Sequence, residues 1–366
     1  MRGLLVHEWI ALNGGSENVL EVLADTHADA SILALWEDQP SRFAPGRVRE
    51  SWIGRSPLRG RKAAALPLMP AFWQRVDLSD HEWMIVSSHA FAHQVASNPT
   101  APERTHIYVH TPARYIWAPE HDARRDSAAL APARRALRAL DRRRVNPHVP
   151  VAANSRFVAD RIQAAWDKDA VVIHPPVDVA RIQAGGSWAA RVTGPDAEVL
   201  ADLPEVFVLG ASRFVRYKRL DLAIRVGELL DLPVVVAGRG EELKALQHQA
   251  ASSTVPVTFA LGPSDQLLRA LMERAALYVF PPIEDFGIMP VESAAVGTPS
   301  LVNAVGGARE SVERIDGGAV VDFADDIAVR AAADAVLRRD HTGLDERARF
   351  FDRSRFVDEI ARWRTQ

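Results

Sequence analysis

The 366-residue sequence contains no cysteine. Disulfides, cysteine-ligated zinc, iron–sulfur clusters and thiol nucleophiles are therefore excluded, and a cytoplasmic location fits. Lysine is scarce as well, because only Lys62, Lys168, Lys218 and Lys244 are present among 44 lysines and arginines. A lysine that falls inside a motif is therefore a candidate for function.

Long apolar runs are also missing. No stretch approaches the roughly 20 residues of a membrane-spanning helix, and the start MRGLLVHEWI has too short an apolar run for a secretion signal. The net charge of −3 gives no electrostatic argument for nucleic acid as a partner. We therefore expect a cytoplasmic protein in which any membrane contact is peripheral, at the inner face of the membrane.

Short apolar runs alternate with helical patterns along the whole chain. GLLVHEW, EWMIVSS and THIYVH are typical of buried strands, and the same order restarts at VFVLGAS after a stretch with several prolines and glycines. This alternation predicts an α/β fold with parallel sheets covered by helices on both faces. The length predicts two domains, and the stretch with several prolines and glycines is interpreted as the linker between them. We therefore predict two doubly wound domains, residues 1–180 and 181–350, before a final helix in 351–366. Ligands in such sheets bind beyond the carboxyl ends of the strands, so we predict a ligand cleft between the domains.

The segment LGASRFVRYKRLD follows a predicted strand and leads into a predicted helix. It carries Arg213 and Lys218. A guanidinium, an ammonium and the free N–H groups of a helix start together suit a diphosphate. The alternative is a pair of solvated loop cations, and the scarcity of lysine favours the functional interpretation.

The segment PPIEDFGIMPVES places two acids, Glu284 and Glu292, around one predicted strand-to-helix turn. Gly287 would let the backbone approach a ligand closely, and the N–H groups near Phe286, Gly287 and Ile288 could meet sugar hydroxyls. Paired carboxylates also occur in glycoside hydrolysis, but a second acid on the helix is better suited to holding a ligand. The remaining alternative is a helix start whose acids are favoured by the helix dipole.

Glycines and a histidine follow other predicted strands. Gly14 and Gly15 lie at a loop-to-helix junction that would admit a phosphate or form a simple turn, and Gly238 lies in AGRGEEL. Neither segment has the Gly-x-Gly-x-x-Gly spacing, which disfavours a nicotinamide oxidoreductase.

His110 ends THIYVH and could donate a hydrogen bond to a substrate oxygen or move a proton, although a single histidine is more often structural.

HAFAHQVA predicts a helix after EWMIVSS, with His89 and His93 on one face at the spacing of metal ligands. No third ligand is evident, and Ala90 stands where a metalloprotease helix would carry glutamate, so we predict no metal site. In HTPARYIW, Tyr115 and Trp117 would stack on a sugar or simply pack. We predict that His89, Tyr115 and Trp117 lie on the acceptor side of the cleft.

The basic run ARRALRALDRRRV belongs to an arginine-rich segment, residues 124–144. Its arginines could meet anionic phospholipid or a polyprenyl diphosphate acceptor. The alternative is a solvated charged helix face.

Together these motifs resemble a retaining glycosyltransferase with the GT-B fold, family GT4. The resemblance spans nearly the whole chain and rests on GGSENVL, SSHAFA, HTPARYIW, ANSRFVADRI, ASRFVRYKRLDLAI, AGRGEEL and EDFGIMPVESAAVGTP. HTPARYIW and EDFGIMPVE look most like bacterial mannosyltransferases that build O-antigen or exopolysaccharide. The resemblance implies two Rossmann-like domains that face each other across a cleft, with the C-terminal helix crossing back to the N-terminal, acceptor-binding domain.

The resemblance also implies roles in a sugar-nucleotide site. Arg213 and Lys218 would bind the donor diphosphate and stabilise the leaving group. Glu284 would hold the donor sugar, Glu292 the nucleotide ribose, and His110 would lie near the reacting carbon. The other implied donor contacts are Gly14, Gly15, Gly238, Phe286, Gly287 and Ile288.

The implied activity is transfer of a hexose, with mannose from GDP-mannose favoured, to a glycan or lipid-linked acceptor, and without a metal ion or cofactor. One alternative keeps the donor site and takes a small-molecule acceptor, such as an inositol lipid or a secondary metabolite. Another is an inactive GT-B binding or scaffold protein, against which the intact Arg213, Lys218, Glu284 and Glu292 argue.

Overall fold

The computed structural model describes residues 2–12, 14–118 and 131–365. Contacts divide the chain into two units. Unit 1 comprises Met1–Pro176 with Arg353–Gln366, and unit 2 comprises Val177–Asp352. The sequence-based boundaries lie after residues 180 and 350.

Unit 1 is built on a parallel sheet with the strand order β3-β2-β1-β4-β5-β6-β7. The strands are β1 (Gly3–His7), β2 (Ser31–Ala34), β3 (Val48–Glu50), β4 (Trp83–Ser88), β5 (Arg104–Val109), β6 (Val151–Ala153) and β7 (Val171–Val172). The helices are α1 (Gly15–Thr26), α2 (Lys62–Ala65), α3 (Met69–Trp73), α4 (Arg114–Trp117), α5 (Ala131–Arg143), α6 (Arg156–Trp166) and, at the C-terminus, α16 (Arg353–Trp363).

The central strands of unit 1 are buried on both faces, as the continuous apolar runs predict. Because side chains alternate along a strand, Leu4 and Val6 of β1 enter one core and Leu5 enters the other. Helix α16 packs on the second core through Phe356, Ile360 and other apolar residues at helical spacing. The C-terminal segment is therefore part of unit 1.

Unit 2 has a parallel sheet with the strand order β10-β9-β8-β11-β12-β13. The strands are β8 (Val208–Ala211), β9 (Val234–Gly238), β10 (Val257–Leu261), β11 (Leu277–Phe280), β12 (Ser300–Asn303) and β13 (Gly318–Val321). The helices are α7 (Val179–Gln183), α8 (Pro195–Ala201), α9 (Leu220–Leu230), α10 (Leu243–Ala251), α11 (Asp265–Arg274), α12 (Ile288–Ala295), α13 (Gly307–Ile315), α14 (Asp326–Arg338) and α15 (Leu344–Ala348).

Both sheets have the doubly wound order in which the chain starts at the centre and winds outward in both directions. In such sheets a crevice opens where the strand order reverses, beyond the carboxyl ends of the two central strands. These switch points lie between β1 and β4 in unit 1 and between β8 and β11 in unit 2. The prediction of two doubly wound parallel sheets is confirmed.

Candidate functional site

An ion pair joins two sequence motifs at the switch point of unit 2. Lys218 ends a short 3-10 turn after β8, and Glu284 follows β11. The distance from Lys218 Nζ to Glu284 Oε1 is 2.5 Å, and the two side chains are only 12% and 19% exposed. Lys218 Nζ also lies 5.8 Å from the ring centre of Phe280. Partial burial of these charges costs hydration energy, and the ion pair offsets that cost. The ion pair and the Phe280 ring therefore hold the ammonium in a defined position at the edge of the sheet.

The second acid of the motif, Glu292, lies on α12 and pairs with a residue that the motifs did not reveal. Arg269 on α11 donates from Nη2 to Glu292 Oε1 over 2.9 Å. Arg269 is one of many arginines, and no local pattern distinguishes it. Its role therefore follows only from the packing of α11 beside α12.

A buried tyrosine lies close to both acids. The Tyr278 hydroxyl donates to the carbonyl oxygen of Ala211 over 3.0 Å. Burial, followed by the charges of Glu292 and Glu284, raises the pKa of Tyr278 well above 10. Tyr278 is therefore neutral and ties the ends of β8 and β11 together.

The turn between the two acids is shaped by glycine. Gly287 has a φ of +96° and immediately precedes α12. A Cβ on Gly287 would lie 2.7 Å from the Cβ of Ala308. The Phe286 ring packs 5.4 Å from the Phe351 ring in the core, so a ligand would meet the backbone of this turn and not that ring. Ile288 begins α12.

We expect Gly287→Ala to destabilise unit 2 more than Gly297→Ala does. Both glycines have positive φ, at +96° and +88°, but a Cβ added at Gly297 would meet no atom within 4 Å. Both variants should lose roughly 1–2 kcal/mol from backbone strain. Gly287→Ala should lose about 1–3 kcal/mol more because Ala308 blocks the new methyl group. Thermal unfolding measures the difference, and equal losses would contradict close packing at Gly287.

Arg213 follows β8, and Gly238 is the last residue of the adjacent strand β9. The exposed Arg213 donates from Nη2 to the Tyr217 hydroxyl over 2.7 Å. Gly238 has a φ of +142°, and a Cβ there would lie 1.9 Å from the carbonyl oxygen of Ser212. Gly238 therefore lets the end of β9 pack against the loop that carries Arg213.

His110 directly follows β5 in unit 1 and is mostly buried. Its Nε2 lies 2.8 Å from the Ser87 hydroxyl oxygen. Its carbonyl oxygen accepts a hydrogen bond from Asn154 Nδ2 over 3.1 Å, beyond the end of β6. Both the ring and the backbone of His110 are thus held at the carboxyl ends of neighbouring strands.

The helix predicted for HAFAHQVA is present only in part, because the structure has a bend at residues 89–91 followed by a 3-10 helix over Ala92–Ser97. The fully buried carboxylate of Glu8 accepts hydrogen bonds from the backbone N–H groups of His89, Ala90 and Ala92 at 2.7–2.9 Å. These bonds give partners to N–H groups at and just before the start of the 3-10 helix, which lack partners within it. Glu8 was missed by sequence reasoning, although a charge beside a buried strand is an unusual feature.

His89 lies beside His7 and Glu8, and the ligand atoms of these three residues are all within 4.8 Å of one another. Burial, followed by the neighbouring charges of His7, Lys62 and Arg114, lowers the pKa of His89 to about 3, so its ring is neutral. The oxygens of Glu8 already accept bonds from backbone N–H groups. A metal ion would have to replace those bonds, so the donor set suits a structural role better.

Gly14 and Gly15 mark the start of α1. A Cβ on Gly14 would lie 2.1 Å from Glu17 Oε2. Glu17 is buried and accepts hydrogen bonds from Ala11 N at 3.1 Å and from the Ser16 hydroxyl at 2.8 Å. Burial by itself would raise the pKa of Glu17, but the charge of the nearby His7 and the Ser16 bond lower it overall. Gly14 therefore makes room for a charged carboxylate near the end of β1.

The aromatic residues of HTPARYIW pack within unit 1. Trp117 Nε1 donates to Asp141 Oδ2 over 2.8 Å, and the guanidinium of Arg138 lies 5.5 Å from the Trp117 ring centre. Tyr115 is half-buried against the core. These contacts are those of the packing alternative, and a role for either ring with an acceptor stays a prediction.

Comparison with known proteins finds a family match that lies mainly in unit 2. Residues 196–355 match the family described as glycosyl transferases group 1. The match covers the segments that carry Arg213, Lys218, Glu284 and Glu292.

Curated proteins that are similar to this chain match part of it. A GDP-mannose-dependent alpha-(1-6)-phosphatidylinositol monomannoside mannosyltransferase of Mycolicibacterium smegmatis is 30% identical over 242 residues, which are 62% of this chain and 61% of the relative. A D-inositol 3-phosphate glycosyltransferase of Salinispora tropica is 31% identical over 209 residues, which are 49% of this chain and 41% of the relative. The chain thus spans less than two thirds of the length of these relatives.

A solved structure matches the whole chain. HepE of Anabaena in complex with UDP superposes with a TM-score of 0.71 at 16% identity, over 99% of both chains. At this identity the likeness shows the fold alone. The predicted GT-B fold class is confirmed.

Proposed function

We propose that this protein is a retaining glycosyltransferase that moves a hexose from a nucleotide diphosphate sugar to a hydroxyl acceptor. The observation that carries the proposal is the Lys218–Glu284 pair at the switch point of unit 2. Its ammonium can meet the donor diphosphate, and its carboxylate can accept hydrogen bonds from sugar hydroxyls. A cation and a carboxylate fixed together suit a ligand that has a phosphate on one side and hydroxyls on the other.

In the proposed reaction, the bond between the anomeric carbon and the diphosphate oxygen breaks, and its electron pair leaves with the diphosphate. The acceptor hydroxyl oxygen bonds to that carbon on the same face, and its proton passes to the departing diphosphate. Lys218 and Arg213 stabilise the negative charge as it develops. Since these charges come from side chains, transfer needs no metal ion or cofactor and is expected to continue in EDTA.

The remaining donor contacts follow from the turn before α12. Glu292, held by Arg269, would accept hydrogen bonds from the ribose hydroxyls. Backbone N–H groups after Gly287 would donate to the sugar or to the phosphate, because the first N–H groups of a helix lack partners within the helix.

Mannose from GDP-mannose is the proposed donor, and the name of the Mycolicibacterium relative supports it. For the acceptor, the names of both relatives contain inositol, which favours an inositol-bearing acceptor over a growing glycan. Lipid-linked glycans remain the alternative acceptor class. In either case the acceptor presents a hydroxyl group to the anomeric carbon.

Peripheral contact of a cytoplasmic protein with anionic lipid belongs to the same proposal. Every helix in the described residues is too short or too polar to cross a membrane. Helix α5 carries the exposed Arg135 and Arg143, which could meet lipid phosphates. Part of the basic segment 124–144, up to residue 130, lies outside the described residues. Liposome binding that survives replacement of both arginines would favour a soluble acceptor.

Thermal unfolding with GDP, UDP, ADP and TDP tests the donor. A nucleotide that binds the folded protein at 100 times its Kd stabilises it by about 2.7 kcal/mol. We expect GDP to raise the melting temperature most, and NADH not to raise it. The Lys218→Ala variant should lose most of the GDP effect because it lacks the cation that meets the diphosphate.

Turnover of a panel of sugar nucleotides with inositol and glycan acceptors completes the test. If nucleotides bind but no pair of donor and acceptor reacts, the second candidate, an inactive binding or scaffold protein of this fold, is supported. If none of the nucleotides raises the melting temperature, the assignment of the donor site is wrong.

A further inference from the structure

A chain of hydrogen bonds joins three side chains at the switch point of unit 1. His7 Nδ1 lies 3.0 Å from the Ser87 hydroxyl oxygen, which lies 2.8 Å from His110 Nε2. The three residues are 0%, 1% and 8% exposed. They end or follow the adjacent strands β1, β4 and β5, and the parallel register pairs His7 directly with Ser87. The arrangement is therefore set by the sheet.

The direction of these bonds follows from the available hydrogens. His7 Nδ1 also lies 3.2 Å from the carbonyl oxygen of Ser87. A carbonyl can only accept, so His7 Nδ1 carries a hydrogen. The Ser87 hydroxyl then accepts from His7 with one lone pair, and donation of its single hydrogen to His110 Nε2 would complete the chain of bonds.

We infer that His7 and Ser87 are positioning residues that fix the tautomer of His110. In this arrangement His110 Nε2 accepts from the Ser87 hydroxyl, and the ring hydrogen of His110 is on Nδ1. In the proposed function, this N–H is the group that would meet a substrate oxygen, such as a sugar hydroxyl or a diphosphate oxygen. The part that concerns substrate rests on the proposed function, whereas the tautomer does not.

The cost of burying His7 supports this role. Its Nε2 is buried and has no hydrogen-bond partner among the described residues. A buried polar atom without a partner costs about 1–3 kcal/mol, a cost that an apolar side chain of similar size would avoid. The imidazole at this position is explained if its Nδ1–H is required by Ser87.

The backbone of His110 is fixed in addition to its ring. Asn154 Nδ2 donates to the His110 carbonyl oxygen over 3.1 Å. A residue held at both its backbone and its ring keeps its Nδ1–H in one direction. Displacement of a substrate-positioning group by about 1 Å can cost about 10²-fold in rate.

Nitrogen-15 NMR of the full chain, labelled selectively at histidine, tests the tautomer directly. Long-range proton–nitrogen correlations distinguish a ring with its hydrogen on Nδ1 from one with its hydrogen on Nε2. Comparison with His110→Gln assigns the signal among the 12 histidines. We expect the Nδ1–H form for His110 in the wild type, and an Nε2–H form there would overturn the inference whatever the enzymatic activity.

Kinetics of Ser87→Ala and Ser87→Thr give the second readout. Ser87→Ala is expected to let His110 populate both tautomers and to lower kcat by about 10- to 100-fold, with little change in donor KM. Ser87→Thr keeps the hydroxyl and should restore the tautomer and most of kcat. His148→Gln, at an exposed position, is the matched control and should change neither.

The outcomes separate this inference from the proposed function. Absence of turnover in the wild type, together with the Nδ1–H form, would reject the enzyme and keep the tautomer. Full kcat in a folded Ser87→Ala variant, or the same tautomer in it as in the wild type, would overturn the role of Ser87. Because the wild-type spectrum decides the tautomer, poor folding of a variant leaves that test intact.

Discussion

Lys218→Ala is expected to lower glycosyl transfer by about 10²–10³-fold while the fold is retained. The ammonium is the group that we place against the leaving diphosphate, and removal of one such fixed group costs about this factor. The expected loss is mainly in kcat, because the negative charge on the diphosphate grows as the sugar bond breaks. Initial rates with the donor identified by thermal unfolding give the measurement.

The sequence provides a close control for this variant. Lys244 is another of the four lysines, lies exposed on α10 of the same unit, and should be replaceable by alanine without loss of rate. Glu284→Ala should lose a similar factor to Lys218→Ala, because each side chain holds the other in place. The double variant should lose less than the product of the two factors. A wild-type rate in Lys218→Ala would reject the proposed site.

Asp141→Ala is expected to cause the largest loss of stability in unit 1. The Asp141 carboxylate on α5 is fully buried and accepts hydrogen bonds from Gln94 at 2.7 Å, Trp117 at 2.8 Å and Trp166 at 2.9 Å, and it pairs with His93 at 3.0 Å. Removing it leaves four groups, three of them buried, without their shared partner. Loss of one member of such a buried charged network costs about 3–5 kcal/mol. The melting temperature of unit 1 should fall by on the order of 10 °C.

The pH dependence of the stability loss in Asp141→Ala tests whether the charged carboxylate of Asp141 is its cause. Burial by itself would raise the pKa of Asp141, but His93 and the hydrogen bonds lower it below its ordinary value of 3.8. A lowered pKa in the folded state stabilises the protein above the unfolded pKa, and this contribution is lost as the pH falls through the folded value. The difference in free energy of unfolding between the wild type and Asp141→Ala should therefore become smaller below about pH 4. Asp160→Ala, on the exposed face of α6, should change stability by less than about 0.5 kcal/mol.

Much of the fold could be predicted because its cause is local. Parallel strands buried on both faces need continuous apolar runs, and GLLVH and LYVF show them plainly. Motif residues after such strands were also recognisable, since a strand, a glycine-bearing turn and a helix follow one another in sequence. This is why Lys218 and Glu284 could be selected before any contact was known.

Contacts between distant segments could not be predicted. The helix expected for HAFAHQVA is only partly formed, and its first N–H groups are bound by Glu8, more than 80 positions earlier in the chain. Arg269 reaches Glu292 only because α11 packs beside α12. The local sequence left open whether Trp117 stacks on a sugar or packs within the domain. In the structure its indole N–H donates a hydrogen bond to Asp141.

The two doubly wound sheets and the segments that carry the acids and cations could be predicted without a structure, because strand burial and turn chemistry depend on neighbouring residues. Tertiary structure alone decided which of these residues meet. Lys218 and Glu284 lie 66 positions apart, and His7 and Ser87 lie 80 apart, yet each pair is within hydrogen-bonding distance. The physical reason is that a doubly wound sheet places β1 beside β4 and β8 beside β11, which brings the ends of strands far apart in sequence to one edge.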